Sequence, residues 1–215
     1  MSSENTKLAK PNQFNRSGPV HYRVDREVNG QHFMSLSVDY ERAPVPEHSY
    51  VADYFELNRA DADVVLIFGK VDLPRGERLR NKIEIYFPFN LFVHQLWRSS
   101  RKYQKSLESN HPTRYTRNKE LSSDTEKVQT ISANNVLMLM SAGQCMLDFF
   151  LISAKDLWLK PQKSEPIGME ALVRVFTTAP IMLTLLEESD RIAQQLVKDL
   201  DIALPEDEDE IVEPI

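Results

Sequence analysis

Ala133–Asp156 reads ANNVLMLMSAGQCMLDFFLISAKD, and how this stretch is read decides the fold. Leu and Met are good helix formers, and periodicity does not separate a buried helix from buried strands in so continuous an apolar run. The same residues fit two strands reversing at Ala142-Gly143. Val136, Met138 and Met140 then point one way and Leu137 and Leu139 the other, while Cys145, Leu147 and Phe149 oppose Met146 and Phe150.

A comparison within the chain favours the two strands. When Ala52-Asp53 is laid over Ala133-Asn134 without a gap, Leu66-Ile67-Phe68 falls on Leu147-Asp148-Phe149. The polar turn Ala60-Asp61-Ala62-Asp63 falls on Ser141-Ala142-Gly143-Gln144. After an insertion that includes Trp158 to Pro166, Val173-Arg174-Val175-Phe176 answers to Ile83-Glu84-Ile85-Tyr86, and Pro180 opens a helix as Pro88 does. The earlier copy, Val51–Asn58 and Val64–Val71, is rich in the β-branched and aromatic residues that suit a pleated surface.

The expected fold class is α+β: two repeats of three antiparallel strands plus one long helix, with an N-terminal β-hairpin. Residues 1–19 lack a periodic apolar pattern and read as a flexible tail. Residues 20–49 hold the hairpin and a linker, with Asn29-Gly30 as its turn because both residues tolerate positive φ, and Ala43–Ser49 broken by two prolines. The first repeat spans 50–110, its helix marked by Phe89, Phe92, Val93, Leu96, Trp97, Tyr103 and Leu107. A polar linker covers 111–130. The second repeat spans 131–203, its helix carrying Ile181, Leu185, Leu186, Ile192, Ala193, Leu196 and Leu200. An acidic tail covers 204–215.

Val51-Ala52-Asp53-Tyr54, Leu66-Ile67-Phe68-Gly69 and Phe87-Pro88, with Ala133-Asn134, Leu147-Asp148-Phe149 and Ala179-Pro180, resemble a short bacterial domain-of-unknown-function family, number 3467. The first half departs from that pattern at Asp53, where the family has Asn, and at Ile67, where it has Asp. The resemblance implies no activity and no catalytic residue. Strands followed by a long helix are also similar in outline to the secretory chaperone SecB, by analogy of architecture alone.

Charge and composition narrow the function classes. Asp and Glu number 32 against 26 Lys and Arg, a formal charge of -6, which argues against a dedicated nucleic-acid binder. A single cysteine excludes an internal disulfide framework and a Cys-based structural zinc site. Cys145 inside an apolar run reads as a small buried hydrophobe in a reducing compartment. With no signal-like N-terminus and no apolar run long enough to span a bilayer, a cytoplasmic protein without a membrane partner is expected.

The histidines, His21, His32, His48, His94 and His111, form no metal-binding spacing, although His21 and His32 could face each other across the hairpin. No phosphate-cradling or nucleophile-elbow motif occurs. Asp61 and Asp63 sit where a turn needs Asp, and Asp148 among apolar residues reads as bonded to a neighbouring loop or facing solvent. No catalytic, cofactor-binding or metal residue is therefore assigned, and no cofactor is expected. Two surfaces remain. Arg98, Arg101, Lys102, Lys105, Arg114, Arg117 and Lys119, interleaved with Trp97, Tyr103 and Tyr115, suit single-stranded nucleic acid, though a solvated helix face and polar linker explain them as well. Met138, Met140, Met146 and Phe150 suit an adaptable protein-binding surface. The expectation is a non-enzymatic interaction module, an adaptor, assembly factor or chaperone-like subunit whose partner is another protein or a second copy of itself.

Overall fold

The computed structural model describes residues 14–28, 31–61, 63–71, 78–92, 95, 104, 115–116, 122–123, 128–141 and 143–200. Outside them lie the Asn29-Gly30 turn, most of the helix expected after Phe92, all seven basic residues between Arg98 and Lys119, and the acidic tail.

The architecture is mixed α+β and mostly sheet. The strands are β1 (Val20–Val28), β2 (Gln31–Val38), β3 (Ser49–Val51), β4 (Tyr54–Ala60), β5 (Asp63–Val71), β6 (Arg78–Pro88), β7 (Ser122–Ser123), β8 (Val128–Ser132), β9 (Asn135–Ser141), β10 (Gln144–Leu151) and β11 (Glu170–Thr178). The helices are α1 (Phe89–Phe92), α2 (Ala154–Leu159) and α3 (Ala179–Leu200). β1 and β2 form the expected hairpin, closing at Val28 opposite Gln31. β4-β5-β6-β7 make one sheet with β8 also on β6, and β3-β11-β10-β9 make another. The decisive stretch is thus two strands, and Gly143 takes a φ of 81° at their turn, a conformation open to glycine.

The chain forms two compact units. One holds residues 1–50, 132–139 and 146–176; the other holds 51–131, 140–145 and 177–215. The second unit is built on β5, whose DVVLIFGKV run is buried from Val64 to Phe68, as befits a central strand covered on both faces. Phe55, Leu66, Phe68, Ile83, Ile85 and Phe87 are fully buried. They lie on one face, because β4 and β6 set Phe55 and Ile83 opposite Phe68, and Ile85 opposite Leu66. Phe92 of α1 meets Phe87 edge-on, with ring centroids 6.4 Å apart. The opposite face buries Tyr54, Val65, Ile67 and Leu79. α3 packs against β4 and buries Met182, Leu185, Leu186, Ser189 and Ala193 at helical spacing. Its first amide, Ala179 N–H, donates to Gly143 O at 3.2 Å.

Several expectations are revised. The sheets have five and four strands rather than three each, because β7 and β8 join one and β3 the other. β7 and β8 fall within or overlap the 111–130 segment read as linker. Their sequence carries too few apolar residues to reveal strands that are held mainly by backbone pairing. The strand read as Val51–Asn58 breaks at Ala52-Asp53. There Asp53 Oδ1 accepts from Val71 N–H at 2.6 Å, a side-chain bond that competes with the ladder. Pro88 ends β6 and the helix starts one residue later, whereas Pro180 does sit in the first turn of α3. α3 belongs to the same compact unit as the five-stranded sheet, not to the unit holding most of β9 to β11.

Residues 14–19, read as part of a flexible tail, are held in place, and the remainder of that segment lies outside the described residues. Asn15 pairs with Tyr22, Val20 bridges to Ile167, and Gly18 is buried. Backbone pairing and an Asn side chain hold this segment, so it has no apolar period to read. His21 stands opposite Ser37 and His32 opposite Glu27, so the two histidines are not a cross-strand pair. No helix among the described residues is long and apolar enough to cross a membrane.

Candidate interaction surface

The surface is assembled on the four-stranded sheet, from residues of the unit that carries the N-terminal hairpin. Arg174 of β11 reaches the adjacent strand β10, where Nε donates to Asp148 Oδ1 at 2.6 Å and an Nη to Oδ2 at 2.7 Å. This two-point pair places both side chains on one face of the sheet. Alternation then carries Leu172 and Phe176 to that face on β11, and Met146, Phe150 and Ile152 on and just beyond β10.

One end of the face is covered. Val20, Tyr22, Ile152 and Ile167 form a buried cluster with Leu157 and Met169 packed on it. Tyr22 OH donates to Glu165 O at 3.0 Å and accepts from Asn15 Nδ2 at 2.9 Å. Burial pushes the Tyr22 hydroxyl pKa up, partly offset by the bond from Asn15.

The other end is open. Phe176 is 36% exposed on β11 and Leu139 is 48% exposed on β9, while Met146 is half-buried; Leu172, also half-buried, and exposed Glu170 lie beyond Arg174 on the same face of β11. The Arg174 guanidinium carbon lies 5.9 Å from the Phe176 ring centroid, within range of a cation–π contact. Asp148 is nearly fully buried, and Arg174 keeps a quarter of its side chain in solvent. The bonds that Arg174 donates to Asp148 raise its pKa despite partial burial, so the guanidinium stays charged and neutralises the carboxylate.

Of the interaction residues read from sequence, Met138, Met140 and Met146 are half-buried. Phe150 is 1% exposed and contributes core rather than surface. It follows Asp148 by one alternation and lies beside the covered end. Asp148 is bonded to a neighbouring strand, neither to a loop nor to solvent. Sequence reading passed over Leu139, Leu172, Arg174 and Phe176. The available signal was the alternation Leu172-Arg174-Phe176, a charge between two large apolar residues on one strand face.

A second local arrangement recurs in both halves of the chain. Asn134 N–H donates to Phe150 O at 3.0 Å and Asp53 N–H donates to Gly69 O at 3.1 Å. Asn134 Oδ1 accepts from Ile152 N–H at 2.8 Å, as Asp53 Oδ1 does from Val71 N–H. Asn134 adds a bond that a carboxylate cannot make, Nδ2 to Ile152 O at 2.7 Å. The ungapped overlay of Ala52-Asp53 on Ala133-Asn134 carries Gly69 onto Phe150 and Val71 onto Ile152.

Among the described residues no group of His, Cys, Asp and Glu is arranged to hold a metal ion. Set against protein-family models, curated proteins and solved structures, the chain finds no match.

Proposed function

We propose that this chain is a cytoplasmic, non-enzymatic protein-interaction module, an adaptor, assembly factor or chaperone-like subunit, that engages another protein or a second copy of itself through the open apolar end of its four-stranded sheet. The observation that carries this reading is the exposure of Leu139 and Phe176, with half-buried Met146, on a face where Arg174 neutralises the buried Asp148. Fully covering a Leu or Phe side chain is worth about 1.5–3 kcal/mol, so a partner seated there gains from both. Methionine at the margin lets such a surface adapt to its partner.

The scaffold is read as a duplication of a strand–strand–strand–helix unit. The repeated Asx bonds at Asp53 and Asn134, falling on matched positions of the ungapped overlay, support it.

The test is capture from the native cell with two baits, the wild-type chain and a Leu139→Ser/Phe176→Ser variant of matched circular dichroism. A partner held by the first and lost by the second is expected. Identical partners on both baits would refute the surface.

A second reading rests on charge in the sequence. Arg98, Arg101, Lys102, Lys105, Arg114, Arg117 and Lys119 would contact single-stranded DNA or RNA. Salt-dependent binding that disappears when Arg98, Arg101, Lys102 and Lys105 become Glu is its expected signature.

A further inference from the structure

We infer that the connection between β10 and β11 is a contact for the surface of an anionic lipid bilayer, with Trp158 and Leu159 of α2 as its apolar tip. This goes beyond the protein-interaction reading and uses other residues of the same compact unit. The lack of a spanning segment, from which no membrane partner was expected, does not bear on a surface contact.

Trp158 is 54% exposed and Leu159 is 38% exposed. Helical spacing puts Lys155, Trp158 and Leu159, at i, i+3 and i+4, on one face of α2. Leu157 falls on the other face and packs on the cluster of Val20, Tyr22, Ile152 and Ile167. The turn is fixed at both ends. The Ser153 hydroxyl accepts from Asp156 N–H at 3.4 Å, and Lys160 O accepts from Lys163 N–H at 3.1 Å and from Glu165 N–H at 2.9 Å. Two large apolar side chains are thus held out in water by the short helix that places a third against the core.

Residues 153–155, 158–159 and 162–166 are all exposed, so the connection stands out from its unit instead of framing a groove. An extended peptide is held in a groove or at a sheet edge, and a stable subunit contact uses roughly 20–30 residues a side. A single protruding turn suits a flat, deformable surface. Trp concentrates where lipid headgroups meet acyl chains, because its ring is apolar and its N–H stays wet there.

Charge chooses among lipid surfaces. Between Ser153 and Pro166 stand Lys155, Lys160 and Lys163 against Asp156 and Glu165, one net positive charge in a chain of formal charge -6. Asp156 is taken up by Lys160, Nζ to Oδ2 at 2.9 Å. Glu165 stands at the root of the connection, where its main-chain O accepts from the Tyr22 hydroxyl at 3.0 Å. Lys155, on the face of Trp158, and Lys163, just beyond α2, are exposed. Their ammonium groups would meet negative headgroups while their stems lie along the apolar boundary. The cytoplasmic leaflet carries such headgroups, which fits the cytoplasmic reading.

The test is co-sedimentation of the full chain with vesicles of phosphatidylcholine, with and without phosphatidylserine. The wild type is expected to bind the anionic vesicles and to bind the neutral ones more weakly. Trp158→Ser/Leu159→Ser, which keeps every charge, should lower partition into anionic vesicles at least about tenfold. Lys155→Gln/Lys163→Gln should lower it about fivefold for each lysine and leave the neutral vesicles unaffected. The basic residues from Arg98 to Lys119 offer a purely electrostatic route to the same vesicles. Equal binding by the wild type and a folded Trp158→Ser/Leu159→Ser variant therefore overturns the proposal. Brominated acyl chains decide even if that variant does not fold. They should quench the tryptophan fluorescence of the bound wild type but not of bound Trp158→Phe, which retains Trp97, and equal quenching of both overturns the tip. A wild type that binds neither vesicle overturns the bilayer. An acidic peptide that it binds instead, and that Trp158→Ser/Leu159→Ser releases, assigns the tip to a protein partner.

Discussion

Asn134 and Ile152 hold each other by two hydrogen bonds. The Asn134 amide oxygen accepts from Ile152 N–H at 2.8 Å, and its nitrogen donates to Ile152 O at 2.7 Å. Asn134 precedes β9 and Ile152 follows β10, so the pair fastens the open end of that hairpin. The carboxylate of Asp53 can make only the accepting half of the arrangement.

Asn134→Asp should therefore lose the bond to Ile152 O and lower stability by about 1 kcal/mol. Urea denaturation followed by circular dichroism reads this directly, and an unchanged midpoint would show that the second bond contributes nothing.

Arg174→Met strands the Asp148 carboxylate in the sheet. Removing one partner of a buried pair typically costs about 3–5 kcal/mol. Solvent reaching a quarter of the Arg174 side chain places the expected loss at the lower end. Replacing both, Asp148→Leu with Arg174→Met, should recover most of it, because two apolar groups leave nothing to desolvate. A double-mutant cycle in urea measures the coupling.

Gly18 sits against the backbone of Ile167. A Cβ built there would lie 2.9 Å from Ile167 O and 3.2 Å from the Pro166 Cβ. Gly18→Ala must push the N-terminal segment off the loop, a cost of about 1–3 kcal/mol. Faster proteolytic cleavage near Asn15–Gly18, with the rest of the chain persisting, is the expected readout.

Cys145 is buried, and burial pushes its thiol pKa up from 9.0 to about 11. The native chain should resist a thiolate-specific reagent at pH 8 and react once unfolded. Between pH 9 and pH 11 the unfolded thiol gives up its proton while the folded one keeps it, so stability should fall as pH rises through that window. Cys145→Ala should remove this part of the pH dependence, which denaturation at pH 8 and pH 10.5 would compare.

Much of the fold is legible in the residues. The run of Val64 to Phe68 announces a central strand, because a short β-branched and aromatic run bounded by a polar turn suits a strand covered on both faces. Asn29-Gly30 placed the hairpin whose pairing ends at Val28 and Gln31. Reading Ala133–Asp156 as two strands needed the internal comparison, since Leu and Met there satisfy either period. The site was less visible. Met146, expected by residue type, is half-buried on the sheet face that carries Asp148. Phe150 was misjudged because alternation gives the face of a side chain but not what covers it.

Sequence by itself determined the longer strands β1, β2, β5, β6, β9, β10 and β11, the place of Pro180 in the last helix and the alignment of Asp53 with Asn134, because each depends on local backbone preference and side-chain period. Tertiary structure alone decided that β3 leaves its chain neighbour β4 for β11, that α3 packs on β4, that Arg174 neutralises Asp148, and that Leu139 and Phe176 remain uncovered. Those outcomes depend on contacts between residues far apart in the chain, and no periodicity within a segment records which distant surface will meet it.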